Sequence, residues 1–250
     1  MRILWINPIG YEGFNEDTLK ILNEVRSAGT QVDLVSLPSD RPQHLQYHSY
    51  GGLVIADIVR LTYQAAKEYD GVVIGCFYDP GLREAREVSG RAVVTAPCES
   101  STAIASMLGN TFSVLVSSRK NIAKMRENIG IYGHNHRLAS IRSIGVEVLQ
   151  LQADRGYTSQ RLLFEGQKAI DEDGAEVLIL GCSAIYGFYQ EMQNRLGVPV
   201  IDSVLAPFKY AEFLAGLANS FGWYPSRILG SEPPPEKEVA NWGYFDHPTS

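Results

Sequence analysis

The sequence predicts an α/β protein made of two similar parallel-sheet lobes related by a pseudo-twofold, with a cleft between them. Three observations carry that expectation. Short apolar runs alternate with amphipathic helical stretches along the chain, the order of a parallel sheet with helical crossovers. Several of the runs are apolar at every position, as strands covered on both faces must be. Finally, landmarks of the first half recur in the second: YDGVVIGC at 69–76 is echoed by AEVLILGC at 175–182, which sets Cys76 and Cys182 106 positions apart.

The elements follow in order. Ile3–Ile6 is a first strand, stopped at Asn7-Pro8. Residues 16–28 form an amphipathic helix with Leu19, Leu22 and Val25 on one face, and Gln31–Leu37 is the second strand. Pro38–Gly52 is polar and turn-rich, and within it His44–Gly51 has the character of a lid. Leu53–Glu68 is a helix, Gly71–Gly75 a strand, Pro80–Val88 a helix and Ala92–Ala96 a strand. Ser100–Leu108, Thr111–Val116 and Lys120–Ile129 continue as helix, strand and helix. After a Gly/His-containing connection, Val146–Leu151 is expected as a strand, followed by a helix at Ser159–Glu172 and a strand at Val177–Leu180. Ala184–Leu196, Val198–Ile201 and Ala206–Ala218 complete the series as helix, strand and helix. From Phe221 the pattern fades. The three prolines of EPPPEKE exclude a helix interior or central strand there, and Trp242, Tyr244 and Phe245 form an aromatic tail suited to docking on this subunit or a neighbour.

The echo is longer than the two cysteine segments. GRAVVTAPCESSTAIASMLG from Gly90 answers LGVPVIDSVLAPFKYAEFLAG from Leu196, VDLVSL at Val32 answers VEVLQL at Val146, and the strand ending at Asn7-Pro8 answers the one ending at Ser117-Ser118. Two halves of about 110 residues, each with a four-stranded parallel sheet, account for this; a single wrapped sheet is the other arrangement the order allows. The expected division is residues 1–98 with 205–220 as one lobe, 99–204 as the other, and 221–250 as a C-terminal extension.

Composition narrows the function. At 250 residues the chain can bury a sizeable core with no disulfide or metal to supplement it. Twenty-two basic against 28 acidic residues, with no basic block, argue against nucleic acid as a main partner while leaving room for an anionic small molecule. No run reaches the length of a membrane-spanning helix, and the apolar start MRILWINPIG is too short for a secretory segment, so no membrane partner and a cytoplasmic location are expected. The odd count of three cysteines (Cys76, Cys98, Cys182), with no CxxC spacing, argues for free thiols.

Cys76 and Cys182 each follow an apolar strand and a glycine. Carboxyl ends of strands are where open α/β sheets hold ligands. A glycine before the thiol permits close backbone approach, and the N–H groups that follow can hold an anion and would lower the thiol's pKa. A buried core cysteine is the plain alternative for either one alone. A disulfide or half of a metal site are others, weakened by the cytoplasmic reading and the lack of further ligands. Two matched thiols instead suit acid–base work on a carbon acid. One thiolate removes a proton, the opposite thiol returns one to the other face, and the roles reverse for the mirror-image substrate. Nearby N–H groups would stabilise the enolate-like charge.

These segments resemble the aspartate/glutamate/hydantoin racemase superfamily, most closely its hydantoin racemase branch. The resemblance rests on the strand ending INP, GCFYDPGLREARE from Gly75, CESS near Glu99, FSVLVSS at Phe112, YGHNHRLASIRSIGVEVLQL from Tyr132 and LILGCSAIYG from Leu178, and covers roughly residues 1–220. It implies a racemase of compact rings with an acidic carbon beside a carbonyl, such as 5-substituted hydantoins, without metal or organic cofactor. It also implies that Cys76 and Cys182 are the acid/base thiols, and that Asn7 faces substrate with Ser117 and Ser118 in the corresponding place of the other half. The backbone N–H groups of Phe77 and Ser183 are implied contacts, and the resemblance allows a homo-oligomer, which the aromatic tail also favours. INPIGYEG, VSS in place of the commoner VTT, and the additional Cys98 depart from the family pattern and leave room for a cis–trans isomerase or decarboxylase of the same superfamily acting on a small acid.

The remaining candidates each have a structural reading beside the functional one. Asp79 is read first as an N-cap or Asx turn and second as a thiol-orienting group; Glu99 either stabilises a helix start or bonds near Cys76. Tyr47, Tyr50, Tyr186 and Tyr189 cover a ring substituent or pack. The HxH pair His134/His136 suits a solvent-facing or intersubunit loop better than a metal, and Arg137 or Arg142 either pairs with a carboxylate or binds an anionic group.

Overall fold

The computed structural model describes residues 1–243 and 245. The chain divides into two compact units: residues 1–75, 79–96 and 208–250 form the first, and 76–78 with 97–207 form the second.

The first unit runs β1 (Arg2–Asn7), α1 (Asn15–Val25), β2 (Gln31–Ser36), α2 (His48–Ala65), β3 (Gly71–Ile74), α3 (Leu82–Val88) and β4 (Val93–Thr95). All strands are parallel, in the order β2-β1-β3-β4. Ile3, Ile6, Val72, Val73 and Ile74 are wholly buried because β1 and β3 are the inner strands and carry helices on both faces. Each such side chain contributes about 1.5–3 kcal/mol.

The second unit contains α4 (Pro97–Leu108), β5 (Phe112–Val116), α5 (Asn121–Ile131), β6 (Leu138–Ser143), α6 (Arg155–Asp171), β7 (Val177–Leu180), α7 (Tyr189–Leu196), β8 (Val200–Ile201) and the start of α8 (Leu205–Phe221). Its parallel order, β6-β5-β7-β8, repeats that of the first unit strand for strand. The duplicated α/β fold expected from the internal echo is therefore present, with the Gly-Cys step directly after the third strand of each repeat.

One strand lies elsewhere than its pattern suggested. Val146–Leu151 is not a strand; Val148–Gln150 is a single 3₁₀ turn, and the partner of β5 is LASIRS, residues 138–143. VEVLQL is thus not the counterpart of VDLVSL. An edge strand tolerates polar residues, and β6 uses them: Ser140 bonds Ser113, and Arg142 bonds Glu172 and Asp173. Gly145, at φ 72°, turns the chain out of the sheet before the apolar run develops. The helix expected from Ala184 begins only at Tyr189, because 182–188 forms a loop around Cys182. Half of the expected lid is likewise helical, since α2 starts at His48.

The C-terminal segment is fastened to the first unit. Arg227 donates to the Gly90 and Arg86 carbonyls and to Ser89 Oγ, Arg91 stacks on Tyr224 at 4.0 Å, and Phe245 packs on Tyr63 at 4.7 Å. Pro235 precedes α9 (Glu236–Trp242), so the prolines sit outside the helix they cannot enter. Trp242 is exposed, and Tyr244 lies outside the described residues.

Candidate active site

Both glycines before the thiols are required by space. A Cβ on Gly75 would stand 2.4 Å from the indole nitrogen of buried Trp5, and one on Gly181 would stand 2.5 Å from Val114 Cγ1 and 3.0 Å from the Leu115 carbonyl. Only hydrogen fits there, so the chain passes close against the neighbouring strand before presenting the cysteine.

The strand registers fix what stands beside each thiol. Gly181 N–H bonds the Leu115 carbonyl at 2.8 Å, which carries the β5–β7 pairing on to set Ser117 next to Cys182. In the first unit Gly75 N–H bonds the Ile6 carbonyl at 2.8 Å, so Asn7 stands next to Gly75. Register thus matches Asn7 with Val116, and Ser117 with Pro8, one residue off the correspondence read from the sequence.

Cys76, Phe77 and Tyr78 pack with the second unit, whose core receives the Phe77 ring together with Cys98, Phe112, Val114 and Met125. Phe77 is 2% exposed, its ring taken up by that core, and Cys98 is a wholly buried core thiol. Asn128 Nδ2 donates to the Tyr78 carbonyl at 2.7 Å and pins the tripeptide to α5. The Tyr78 phenol rests against the same core. Burial raises its pKa, the charges of Cys76 and of Cys182 each raise it further, and a hydrogen bond from Asn121 opposes them. Both thiols therefore act on one phenol, a residue that sequence reasoning quoted but did not weigh.

Neither Cys76 nor Cys182 is in a disulfide among the described residues, and both are partly exposed. The Cys182 thiol is pushed up to about 11 by desolvation, against the lowering effect of the Ala184 and Ile185 N–H groups. The expected lowering is thus real in its parts and outweighed in sum: burial disfavours the thiolate more than two backbone donors favour it. The loop that carries Cys182 is held from three sides. Gln152 Nε2 donates to the Ala184 carbonyl at 2.7 Å, Arg155 donates to the Gly187 carbonyl, and the Asp202 carboxylate accepts from Gly187 N–H at 3.0 Å and Val204 N–H at 2.8 Å. Asp202, raised by burial, is a second residue missed earlier; an Asp between a strand and a helix is a readable capping signal.

The other candidates scatter. Asn7 Nδ2 is engaged by the Tyr11 carbonyl, Asn15 Oδ1 and Ser36 Oγ at 2.9–3.0 Å. Ser117 is wholly buried with an unpartnered hydroxyl, whereas Ser118 Oγ accepts from Lys120 N–H and Ser183 is half-buried. Asp79 is buried at a φ of 49° and is not the cap of α3, which is Gly81. Glu99 stands in the first turn of α4, where its charge acts on His134. Tyr186 is buried, and its carbonyl accepts from Gln152 Nε2. Arg142 is committed to Glu165, Glu172 and Asp173. Among the described residues no group of three or more His, Cys, Asp or Glu is placed to hold a metal, and no helix is long and apolar enough to cross a membrane.

Two repeats of one parallel sheet, each with Gly-Cys after its third strand, define a duplicated α/β protein with a thiol at each strand end. The chain belongs to the Asp/Glu/hydantoin racemase family, whose sequence profile matches residues 3–211, and its activity class is that family's racemase-type chemistry. It is 31% identical over 240 residues to the hydantoin racemase of Paenarthrobacter aurescens, covering 95% of this chain and 99% of that one. Among solved structures it is similar to the allantoin racemase of Klebsiella pneumoniae (27% identity, TM-score 0.86, 94% of each chain). The allantoin racemase of Pseudomonas fluorescens is similar too (26% identity, TM-score 0.87, 94% of this chain and 97% of that one).

Proposed function

We propose that the protein is a cofactor-independent racemase of a 5-substituted hydantoin or similar cyclic carbon acid, acting in the cytoplasm as a homo-oligomer through acid/base transfer by Cys76 and Cys182. The observation that carries this reading is the Gly-Cys step after the third strand of each repeat, with both thiols in the second unit; their common effect on the Tyr78 phenol supports it. With its thiol at about 11, Cys182 holds its proton at neutral pH and presents an acid to one face of the substrate. For one enantiomer the Cys76 thiolate takes the proton of the ring carbon, an enolate forms, and Cys182 S–H delivers its proton to the opposite face. The enzyme is left with the proton on Cys76 and the charge on Cys182, ready for the mirror-image substrate. The names of the relatives support the substrate class.

The test is replacement of each thiol by serine, with each enantiomer incubated in deuterated water. Racemisation is expected to fall by about 10³-fold or more in both variants. Residual exchange confined to one enantiomer is expected in each, of opposite hand in the two. Full racemisation in either variant sinks the two-thiol assignment, and carbon dioxide release or a change of C=C geometry would identify decarboxylase or cis–trans isomerase chemistry instead. Racemisation that requires Cys182 as the acid is expected to persist through the ordinary thiol range and to decline as pH rises through about 11.

A further inference from the structure

Buried polar atoms without partners are uncommon, and each one calls for a reason. In the second unit Asn121, the first residue of α5, is 4% exposed and its Oδ1 has no partner. Its amide nitrogen is not idle, because Asn121 bonds the Tyr78 side chain. That bond is made to the phenolic oxygen, so the phenolic hydrogen is left to point to another acceptor. Ser117, beside Cys182, adds a second unpartnered buried oxygen. The α5 end of this cluster is tied down by Asn128 on the Tyr78 carbonyl, and the Tyr78 ring is supported by the core below it.

The pair Tyr78–Asn121 therefore presents one hydrogen-bond donor, the phenol O–H, next to one acceptor, the amide Oδ1. An N–H beside a C=O is the complement of that edge. A carboxylate offers two acceptors, and one of them would meet Oδ1 lone pair to lone pair. The influences on the Cys182 thiol are burial and two backbone N–H groups, and those on the phenol are burial, the thiols and Asn121. None of these influences is a cation.

We propose that Tyr78 and Asn121 read the lactam edge of a cyclic substrate: Asn121 Oδ1 accepts the ring N–H adjacent to the carbonyl, and Tyr78 O–H donates to that carbonyl oxygen. This rests on the racemase reading of the same site and names the feature by which the site takes ring amides over free amino acids. The carbonyl next to the reacting carbon gains negative charge as the proton leaves, so the Tyr78 hydrogen bond strengthens in the transition state, while the Asn121 contact holds ground and transition states alike. Because the phenol's pKa is raised, it remains a donor across the neutral and mildly alkaline range.

The experiment compares a 5-substituted hydantoin with its analogue methylated on the ring N–H next to the reacting carbonyl, on the unaltered protein and on Tyr78→Phe and Asn121→Ala. Methylation is expected to lower kcat/KM of the unaltered protein by about tenfold or more, from loss of the bond and the orphaned acceptor. It is expected to cost Asn121→Ala much less. Tyr78→Phe is expected to lower kcat by about 10²-fold with little change in KM. Binding is followed separately by calorimetry with unsubstituted hydantoin and its N-methyl form, which needs no turnover. If the unaltered protein racemises both substrates equally and Tyr78→Phe matches it in kcat, the edge-reading pair is overturned while the racemase survives. If hydantoin binds, N-methylation abolishes binding and nothing is racemised, the pair stands and the racemase reading falls. Neither binding nor turnover overturns both. The methylated substrate on the unaltered protein keeps the test decisive should Asn121→Ala fail to fold.

Discussion

The two units share a strand order but finish their central strands differently. At the end of β1, Asn7 spends its amide on Tyr11, Asn15 and Ser36, and Ser36 bonds Asn15 in turn, so the carboxyl edge of the first sheet is closed by its own side chains. At the end of β5, Val116 occupies the matching place, and Ser117 beyond it keeps a buried hydroxyl with no partner. Asn121 continues that unpartnered polarity at the start of the next helix. Duplication supplied two sheet edges of one design. The first spends its polar groups on stability, and the second, where Cys76 and Cys182 both pack, leaves them for something else. An edge that is internally satisfied has no affinity left over for a substrate.

That contrast is open to attack at several points. The strongest blow is a methyl group under either thiol. Gly181→Ala drives a Cβ against Val114 and the Leu115 carbonyl, and Gly75→Ala drives one into Trp5. Each is expected to lower stability by about 1–3 kcal/mol and, by displacing the sulfur, to lower racemisation about 10²-fold. Urea denaturation and chiral chromatography measure the two losses, and unchanged activity in both variants would show that thiol placement does not depend on these close approaches.

A smaller and more pointed comparison sets Asn7→Ala against Ser117→Ala. Asn7→Ala removes a buried amide that bonds half-buried Asn15 and Ser36 and is expected to cost about 1–2 kcal/mol, whereas Ser117→Ala removes a hydroxyl that bonds nothing and is expected to lie within about 0.5 kcal/mol of the parent. Denaturation midpoints that rank the other way would erase the distinction between a closed and an open edge.

The mildest effect is on the flank of the second sheet. Asp173 is held below the usual carboxylate range mainly by its hydrogen bond from Arg142, the residue that fastens β6 to the end of α6. A lowered native pKa means that the unfolded chain binds the proton first. The contribution is therefore complete above the ordinary carboxylate value and disappears as pH falls through the lowered one. It is expected to be about 1 kcal/mol or less for a partly exposed pair, read as the difference between the parent and Asp173→Asn in denaturation series at neutral and acid pH.

Much of this was legible in one dimension. The inner strands β1, β3, β5 and β7 are apolar at every buried position except Asn7 and Ser113, and that pattern located them. The edge strand β6 was hidden, because a strand bonded on one side can carry Ser140 and Arg142, while the more apolar VEVLQL nearby attracted the assignment. Gly75 and Gly181 signalled close approach correctly, since steric demand at a strand end is local. The Cys182 pKa was misjudged in sign because N–H donors can be counted along a sequence and desolvation cannot. Tyr78 and Asn121 escaped notice for a related reason: residues 43 positions apart meet only once the 76–78 tripeptide is seen to pack against α5.

The 76–78 tripeptide belongs to a different unit from the strand it follows. The polypeptide passes between the units at residues 75/76, 78/79, 96/97 and 207/208, so no single cut separates them. A fragment spanning 97–207 would own a complete sheet and the strand-end thiol of Cys182, yet leave that of Cys76 on the remaining piece. That fragment would also lack Phe77, whose ring fills its core, so it would lose packing along with the thiol.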